Sequence, residues 1–227
     1  NRHHFGFHYP RSIDTALQCI EAKKDFDKYY GKTVDYEFKN FYAISKINSK
    51  ITYNKFENFC KKASLKFKKV ETPQNIFNTH LISKCYQVQE GVYNINKINS
   101  VLKKRIKNLK NIKIINKTKV SGYVDQTSNI EYLNSNKLIN ENFDLIINAT
   151  YDSINEHILK NKIDMEYNLQ EMCRIKINGE RFGSTILDGE FPSILPVANK
   201  KNEYLFAHVK HSQLIKIKSK NIPKKIF

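Results

Sequence analysis

Three stretches of the chain place apolar side chains at the three- and four-residue spacing of a helix. Ser12 and Asn94 precede the first and third stretches, and side chains of these types accept hydrogen bonds from a first helical turn, while the second stretch begins at Thr52. Gly31 supplies a stop after the first stretch. The apolar positions are Ile13, Ala16, Leu17 and Ile20, then Tyr53, Phe56, Phe59 and Cys60, then Ile95, Ile98, Val101, Leu102, Ile106 and Leu109. The pattern predicts three helices, the first reaching Tyr30 and the second Ala63.

Short stretches with the two-residue alternation of strands lie between and after these helices. They are 34–38, 41–44, 81–92, 112–115, 119–125, 130–133, 172–178, 184–187, 193–197 and 204–209. Residues 143–148 differ, because they form a near-continuous apolar run of the kind buried on both faces of a parallel sheet. The chain is therefore predicted to be mixed, with α/β structure at 1–34 and 93–150 and antiparallel strands at 35–92 and 165–212.

The composition is that of a globular protein with one or two domains. The chain has 227 residues, of which 40% are hydrophobic, and no apolar run is long enough to cross a bilayer. Its formal charge is +17, yet only five of the 39 basic residues are Arg. Lysines spread among Asn and Ile are typical of an AT-rich coding sequence, whereas nucleic-acid contacts favour clustered Arg. Nucleic-acid binding is therefore not the favoured interpretation.

The cysteines indicate a reducing compartment. Cys19, Cys60, Cys85 and Cys173 show no Cys-x-x-Cys spacing and lie in apolar or amphipathic surroundings. Buried, reduced thiols of a cytoplasmic protein are therefore expected, and neither a disulfide framework nor a structural zinc site is predicted.

The densest group of functional side chains opens the chain, as Asn-Arg-His-His-Phe-Gly-Phe-His-Tyr-Pro-Arg-Ser over 1–12. A glycine there permits close approach to a planar ligand, and His or Arg stabilises negative charge. A polar surface loop ending in a proline turn is the alternative. A metal site is not predicted, because the histidines lack helical or hairpin spacing with a carboxylate; these histidines are His3, His4, His8, His208 and His211.

A second candidate element is Phe-Asp-Leu-Ile-Ile-Asn-Ala-Thr-Tyr over 143–151. Small residues at the carboxyl end of a buried strand let backbone amides approach a cofactor, and Ala149 and Thr150 lie at that place. An ordinary core strand ending in a turn is the alternative.

The order and separation of these two elements resemble the FAD-dependent oxidoreductases of the D-amino acid oxidase type. In that family a His/Gly-rich loop packs near the flavin, and a strand ending in Ala-Thr-Gly returns to the dinucleotide. The resemblance implies a partial FAD/NAD(P)-binding Rossmann-like domain over 1–34 and 93–164, interleaved with an antiparallel-sheet substrate domain over 35–92 and 165–215. A basic tail over 216–227 would follow. The residues implied to contact FAD are Arg2, His3, His4, Gly6, Phe7, His8, Tyr9, Val120, Ala149, Thr150 and Tyr151.

The chain also departs from this family. The Gly-x-Gly-x-x-Gly turn of the first βαβ unit is missing, as is the Gly-rich segment that ends family members. Tyr151 stands where the family has the glycine of Ala-Thr-Gly. We therefore expect this sequence to be an internal fragment of a longer enzyme.

In the family the antiparallel sheet covers the flavin and supplies the substrate contacts. Strand alternation puts Tyr204, Phe206 and His208 on one face. Tyr204 and His208 are therefore predicted as catalytic residues, and Arg174, Arg181 and His211 are predicted to hold a substrate carboxylate. Solvated strand polarity is the alternative for each of them.

The expected function is FAD-dependent oxidation of a small amine, amino acid or hydroxy acid, with hydride passing to the flavin. The sequence shows no paired carboxylates, nucleophile–His–acid set or phosphate-binding loop, which is compatible with a cofactor that carries the chemistry. The alternative is a non-catalytic basic module that binds nucleic acid or another acidic partner through a continuous Lys/Arg face.

Overall fold

The fold is that of a computed structural model, which describes residues 2–123, 128–157 and 162–223. Helices and strands are numbered in chain order. The helices are α1 (Ile13–Tyr30), α2 (Tyr53–Lys62) and α3 (Ile95–Lys107). The strands are β1 (Val34–Asp35), β2 (Lys39–Ser45), β3 (Phe67–Val70), β4 (Ile82–Val88), β5 (Val92–Tyr93), β6 (Thr118–Tyr123), β7 (Asn129–Asn134), β8 (Lys137–Asn142), β9 (Met165–Gln170), β10 (Cys173–Lys176), β11 (Phe182–Leu187), β12 (Pro192–Pro196), β13 (Glu203–His208) and β14 (Gln213–Ser219).

All three predicted helices are confirmed. The side chains of Ser12, Thr52 and Asn94 cap them by accepting the backbone N–H three residues later, at 3.4, 3.3 and 3.1 Å. In the described part of the chain, no helix is long and apolar enough to cross a membrane.

The chain forms two compact units, one of 1–109 with 171–212 and the other of 110–170 with 213–227. These limits differ from the predicted domain limits, because α1 and α3 lie in the same unit as the strands predicted for the substrate domain. The assignment of a cofactor domain and a substrate domain stays a prediction.

The first unit is built on a seven-stranded sheet in the order β10-β13-β12-β11-β2-β4-β3. Its neighbours are antiparallel except β11 and β2, the only parallel pair among the described strands. The sheet is therefore mixed, and the described residues do not form the parallel sheet of a Rossmann-like domain.

The two faces of this sheet carry separate cores. One, here the helix face, is marked by Tyr42 and Leu187 and packs against Phe56, Phe59 and Cys60 of α2. The other, here the far face, bears residues that alternate with the first set along the strands. Its core consists of Phe41, Ala43, Phe77, Ile82 and Cys85. Side chains on neighbouring strands share a face when their Cα atoms are paired, so the register decides which of them meet.

The second unit contains an antiparallel meander, β6-β7-β8, and an antiparallel pair, β14-β9. The predicted buried strand over 143–148 is wrong, because no strand forms there and Leu145 and Ile147 are 76% and 80% exposed. The predicted strand over 112–115 is wrong as well. An apolar segment forms a buried strand only where a neighbouring strand pairs with its backbone N–H and C=O groups. Neither segment has such a neighbour among the described strands.

Four strands were not predicted, namely β3, β8, β9 and β14. They are rich in Lys, Asn or Glu, which are infrequent in strands. The first four residues of the predicted basic tail, Lys216 to Ser219, belong to β14 and pair with β9. Alternating Ile215 and Ile217 contribute the apolar side of this edge pair.

Gly6 brings the opening loop against α1. Its φ angle is +107°, and a Cβ placed on it would lie 3.0 Å from Cα, Cβ and O of Ala16. The glycine is therefore required both by the backbone conformation and by the close approach of the helix.

We expect Gly6→Ala to lower the free energy of unfolding by about 2–4 kcal/mol, because the left-handed conformation and the contact with Ala16 both oppose a side chain. Gly179→Ala is the matched control, since Gly179 has a φ of +117° but no atom within 4 Å of the added Cβ. Urea unfolding of both variants measures the difference. Equal losses would show that the contact with Ala16 contributes nothing.

Candidate functional site

The opening loop is fixed to the first unit by backbone contacts. Arg2 forms an antiparallel bridge with Val92, and the His3 amide donates to the Gly91 carbonyl oxygen at 2.9 Å. The loop then turns back, with the Tyr9 amide donating to the Gly6 oxygen at 3.0 Å. Its side chains therefore occupy set positions relative to the sheet.

A buried group of polar side chains, here the Arg2 network, lies under this loop on the helix face. One oxygen of Glu90 accepts from the Phe5 amide at 2.8 Å, and the other accepts from the Tyr42 hydroxyl at 2.5 Å. The Arg2 guanidinium donates to the Tyr42 hydroxyl and, at 2.6 Å, to Oγ1 of Thr185. It lies 3.6 Å from the Glu90 carboxylate. The network thus ties the loop to β2, β11 and the residues after β4.

Burial sets the electrostatics of this network. It raises the pKa of Glu90, while Arg2 and the hydrogen bond from Tyr42 oppose that rise. Burial likewise raises the pKa of Tyr42, so the phenol stays protonated and can donate. Arg2 was predicted to contact FAD, but its guanidinium is occupied inside the protein. The structure gives it a role in holding the loop.

His3 is a core residue, with 1% of its surface exposed. Its Nδ1 lies 3.0 Å from the Tyr36 hydroxyl and its Nε2 lies 3.4 Å from Asp27. The ring also packs against Phe26 and Tyr93. Burial lowers its pKa although Asp27 opposes this effect. Phe7 is buried in the same way and packs on Tyr42.

Three further rings of the loop, those of His4, His8 and Tyr9, form a group, here the aromatic rim. The rings of His4, His8 and Tyr9 lie 5.6–5.8 Å apart, with His8 exposed and the other two half-buried. Nδ1 of His4 is buried without a hydrogen-bond partner among the described residues. Burial, followed by the charge of Arg2, lowers the pKa of His4 to about 3, so this imidazole is neutral at physiological pH.

The other residues predicted to contact FAD lie in the second unit. Val120 is half-buried in β6, and Ala149, Thr150 and Tyr151 are exposed. Tyr151 has a φ of +56°, the left-handed conformation that glycine adopts readily. A tyrosine therefore occupies a backbone conformation that favours glycine. That these residues approach the opening loop stays a prediction.

The predicted catalytic pair lies on the far face of the sheet. Phe206 lies between Tyr204 and His208 in β13. It pairs with Ile194 of β12, and Ile194 pairs with Ser184 of β11, so these side chains lie on the far face. Tyr204 and His208 share that face, whereas the Arg2 network lies on the helix face. Tyr204 is 1% exposed and packs against Phe182. The pair therefore does not meet the aromatic rim, because alternation along β13 separates them.

His208 has a structural role in its own turn. Its Nδ1 accepts the backbone N–H groups of Lys210 and His211 at 3.2 and 3.3 Å, and its amide donates to Ser212 Oγ at 2.9 Å. The predicted substrate residue His211 stacks on it, with ring centroids 4.5 Å apart.

The two predicted substrate arginines are also paired within the protein. Arg181 contacts Asp35 at 2.9 Å and Arg174 contacts Glu203 at 2.5 Å. Arg181 additionally donates to the carbonyl oxygens of Glu37 and Val197. The structure does not bring these arginines together with His211 or with the aromatic rim.

Three residues of the Arg2 network were not predicted, namely Tyr42, Glu90 and Thr185. Tyr42 lies between the apolar residues Phe41 and Ala43, but Thr185 follows Ser184 and Glu90 lies between Gln89 and Gly91. The local sequence therefore gave no signal that the Glu90 carboxylate would be buried with a partner. The described residues contain no group of three or more His, Cys, Asp or Glu that could hold a metal ion.

No family model and no curated protein matches this sequence. Among solved structures, the chain is similar to glycine oxidase from Geobacillus kaustophilus, with a TM-score of 0.55 and 8% sequence identity. The match covers 95% of this chain and 60% of that one, so the chain spans about 60% of the length of that oxidase. At this identity the likeness shows a shared fold.

The aromatic rim fits part of a flavin site, whereas Arg2 and His3 do not. A flat ring system can stack on the accessible parts of these imidazole and phenol rings, whereas Nδ1 of His4 is buried 3.9 Å from the Glu90 carboxylate and faces the Arg2 network. His4, His8 and Tyr9 are therefore the residues of this loop that would hold the ring of FAD.

Glu90→Ala should lower the free energy of unfolding by about 3–5 kcal/mol, because it leaves the Arg2 guanidinium buried without its carboxylate. Glu203→Ala is the control, since it breaks the more exposed Arg174 pair and should cost less than about 1 kcal/mol. Urea unfolding measures both. A loss at Glu90 no larger than the control would refute the central role of the network.

The neutral state of His4 predicts that the free energy of unfolding depends on pH. Its pKa falls from 6.5 in the unfolded chain to about 3 in the folded one, so its stabilisation is complete above pH 6.5. That stabilisation is lost as the pH falls, because the unfolded chain takes up the proton first. The urea midpoint should therefore decrease as the pH falls below 6.5, and it should decrease less steeply in the His4→Phe variant. His80→Phe is the control, because it replaces an exposed histidine. Equal slopes would contradict the assignment.

Proposed function

We propose that this chain is part of an FAD-dependent oxidoreductase that oxidises a small amine, amino acid or hydroxy acid by hydride transfer to the flavin. The observation that carries the proposal is the fold shared with glycine oxidase over 95% of the chain. The aromatic rim supports it, because three exposed or half-buried rings lie together on a loop that the Arg2 network holds in place.

In this proposal the protein positions the substrate against the flavin and tunes the charge around them, and FAD supplies the redox chemistry. Tyr9 and the two imidazoles contact the flavin ring. His4 is neutral because of burial and Arg2, so it can accept or donate a hydrogen bond without adding a charge. The Arg2 network keeps these rings in one arrangement, which limits the loss of conformational entropy when a ligand binds.

One observation favours a second candidate function, a basic module that binds an acidic partner. A cleft of about 560 Å³ is lined by Arg11, Lys50, Lys55 and Lys62 around Phe59, and no carboxylate of the described residues lines it. Arg11 is already paired with Asp188, which weakens this candidate. Cofactor retention separates the two functions, since a basic module has no need of flavin.

The complete gene product should be purified with FAD bound. The combined change His4→Ala and His8→Ala should weaken its affinity for FAD by about tenfold or more, on the order of the loss of two stacking contacts, and should thereby lower its FAD content. His80→Ala is the control, because His80 is exposed and outside the loop. Flavin absorbance against protein concentration gives the ratio. A complete protein that neither contains nor takes up FAD would refute the proposed function.

A further inference from the structure

The cleft with four basic residues, here the basic cleft, lies in the first unit between the end of the opening loop and α2. Its volume of about 560 Å³ is within the range of sites that hold small molecules. The basic side chains come from two segments of the chain, since Arg11 ends the opening loop whereas Lys50, Lys55 and Lys62 lie in and just before α2. The fold therefore gathers positive charge around one cavity.

One side of α2 supplies charge to the cleft, and its carboxylate lies elsewhere. Lys55, Phe59 and Lys62 follow the four- and three-residue spacing that puts side chains on one side of a helix. Glu57 is the only carboxylate of this helix, and it pairs with Lys69 of β3 at 2.7 Å. The lysines of the cleft are therefore not neutralised by their own helix.

The lysines of the cleft are uncompensated, whereas its arginine is not. Lys50, Lys55 and Lys62 form no ion pair with any residue in the described part of the chain. Arg11 is paired with Asp188, and the Lys50 amide donates to the Asp188 carbonyl oxygen at 2.8 Å. Asp188 thus anchors the backbone that carries Lys50 without lining the cleft. Three ammonium groups remain available to a ligand.

The floor of the cleft is apolar and belongs to the core. Ile51 and Phe59 are 5% and 6% exposed and are members of the core on the helix face. Ile13, at the side of the cleft, is 37% exposed and offers an apolar surface. Because the floor is packed, the backbone positions of the lysines are set before a ligand binds, which limits the cost of ordering.

The charge pattern of the cleft favours phosphate groups. Lysine is a compact point charge that binds phosphate, whereas arginine suits planar carboxylates through two parallel hydrogen bonds. Lys55 and Lys62 are separated by about 10 Å along the helix axis. A ligand with several phosphates can contact both, whereas a single phosphate would have to draw two long side chains together at a cost in side-chain entropy.

We propose that the basic cleft binds a small molecule with two or more phosphate groups, at a site distinct from the proposed flavin site. Lys50, Lys55 and Lys62 contact the phosphates, and Ile13 contacts the apolar part of the ligand. None of the three residues of the aromatic rim lines the cleft, so this inference does not rest on the proposed function. It also differs from a basic module for nucleic acid, which needs a continuous basic face.

Two kinds of variant distinguish binding in the cleft from general attraction to a basic protein. The cleft triple variant removes the three lysines by Lys50→Ala, Lys55→Ala and Lys62→Ala. A control triple variant removes the same charge from exposed positions that do not line the cleft, by Lys24→Ala, Lys61→Ala and Lys97→Ala. Asn58→Trp keeps every lysine but fills the cleft, because Asn58 is an exposed residue of its lining.

The experiment is a calorimetric titration of the complete gene product with tripolyphosphate, inorganic phosphate and a short oligothymidylate, with flavin absorbance recorded throughout. We expect the cleft triple variant to weaken tripolyphosphate binding by about 10- to 100-fold, the loss of three charge contacts. The control triple variant should change it by less than about threefold, since distant exposed charges are screened. Asn58→Trp should weaken it by at least about tenfold, because the space is filled.

The probes themselves give two further expectations. Inorganic phosphate should bind at least about tenfold more weakly than tripolyphosphate, because it contacts fewer of the lysines. Tripolyphosphate should leave the flavin absorbance unchanged. The melting temperature of each variant without ligand should match that of the wild type, since the replaced side chains are exposed.

Several results would overturn the proposal. They are a wild-type protein that does not bind tripolyphosphate, equal losses in the two triple variants, and full binding in Asn58→Trp. Release of flavin by tripolyphosphate would show that the cleft belongs to the flavin site. Tighter binding of oligothymidylate, unaffected by Asn58→Trp, would indicate a nucleic-acid surface instead. A protein without FAD would refute only the proposed function, because the titration with tripolyphosphate does not need the flavin.

Discussion

The ion pair between Arg2 and Glu90 is the constraint on which the organisation of the first unit depends. A guanidinium and a carboxylate are both buried, and each would be costly alone. They are tolerated because the Tyr42 hydroxyl, the Thr185 hydroxyl and the Phe5 amide complete their hydrogen bonds. The pair and these partners together join four segments of the chain, namely the opening loop, β2, the residues after β4, and β11. Forming the pair therefore positions the loop, the sheet and the aromatic rim together.

This constraint divides the opening loop into an inner and an outer set of residues. Arg2, His3 and Phe7 are buried, whereas His4 and Tyr9 are half-buried and His8 is exposed. Motifs rich in His and Arg invite the conclusion that every such side chain serves a ligand. Burial separates the residues that hold the loop from those that are available for binding, because a guanidinium already engaged by two hydroxyls has little left to offer a phosphate.

The register of the sheet makes a similar division among the strands. Along β13 and its neighbours, alternate residues belong to different cores, so Ala207 and His208 serve different sides of the protein although they are adjacent. The shared fold with glycine oxidase says nothing about which side chains do the work, since a fold supports many sites. The proposed function therefore depends on the opening loop and on the Arg2 network that holds it to the helix face.

The sequence by itself determined the elements whose causes are local. The three helices and their caps at Ser12, Thr52 and Asn94 follow from spacing and capping chemistry within a few residues, as do most strands of the first unit. Only the tertiary structure decided that 143–148 forms no strand, that Glu90 faces Arg2 and that Tyr204 faces away from both. The physical reason is that strand pairing and buried ion pairs join residues far apart in the chain, and one step of register moves a side chain to the opposite face.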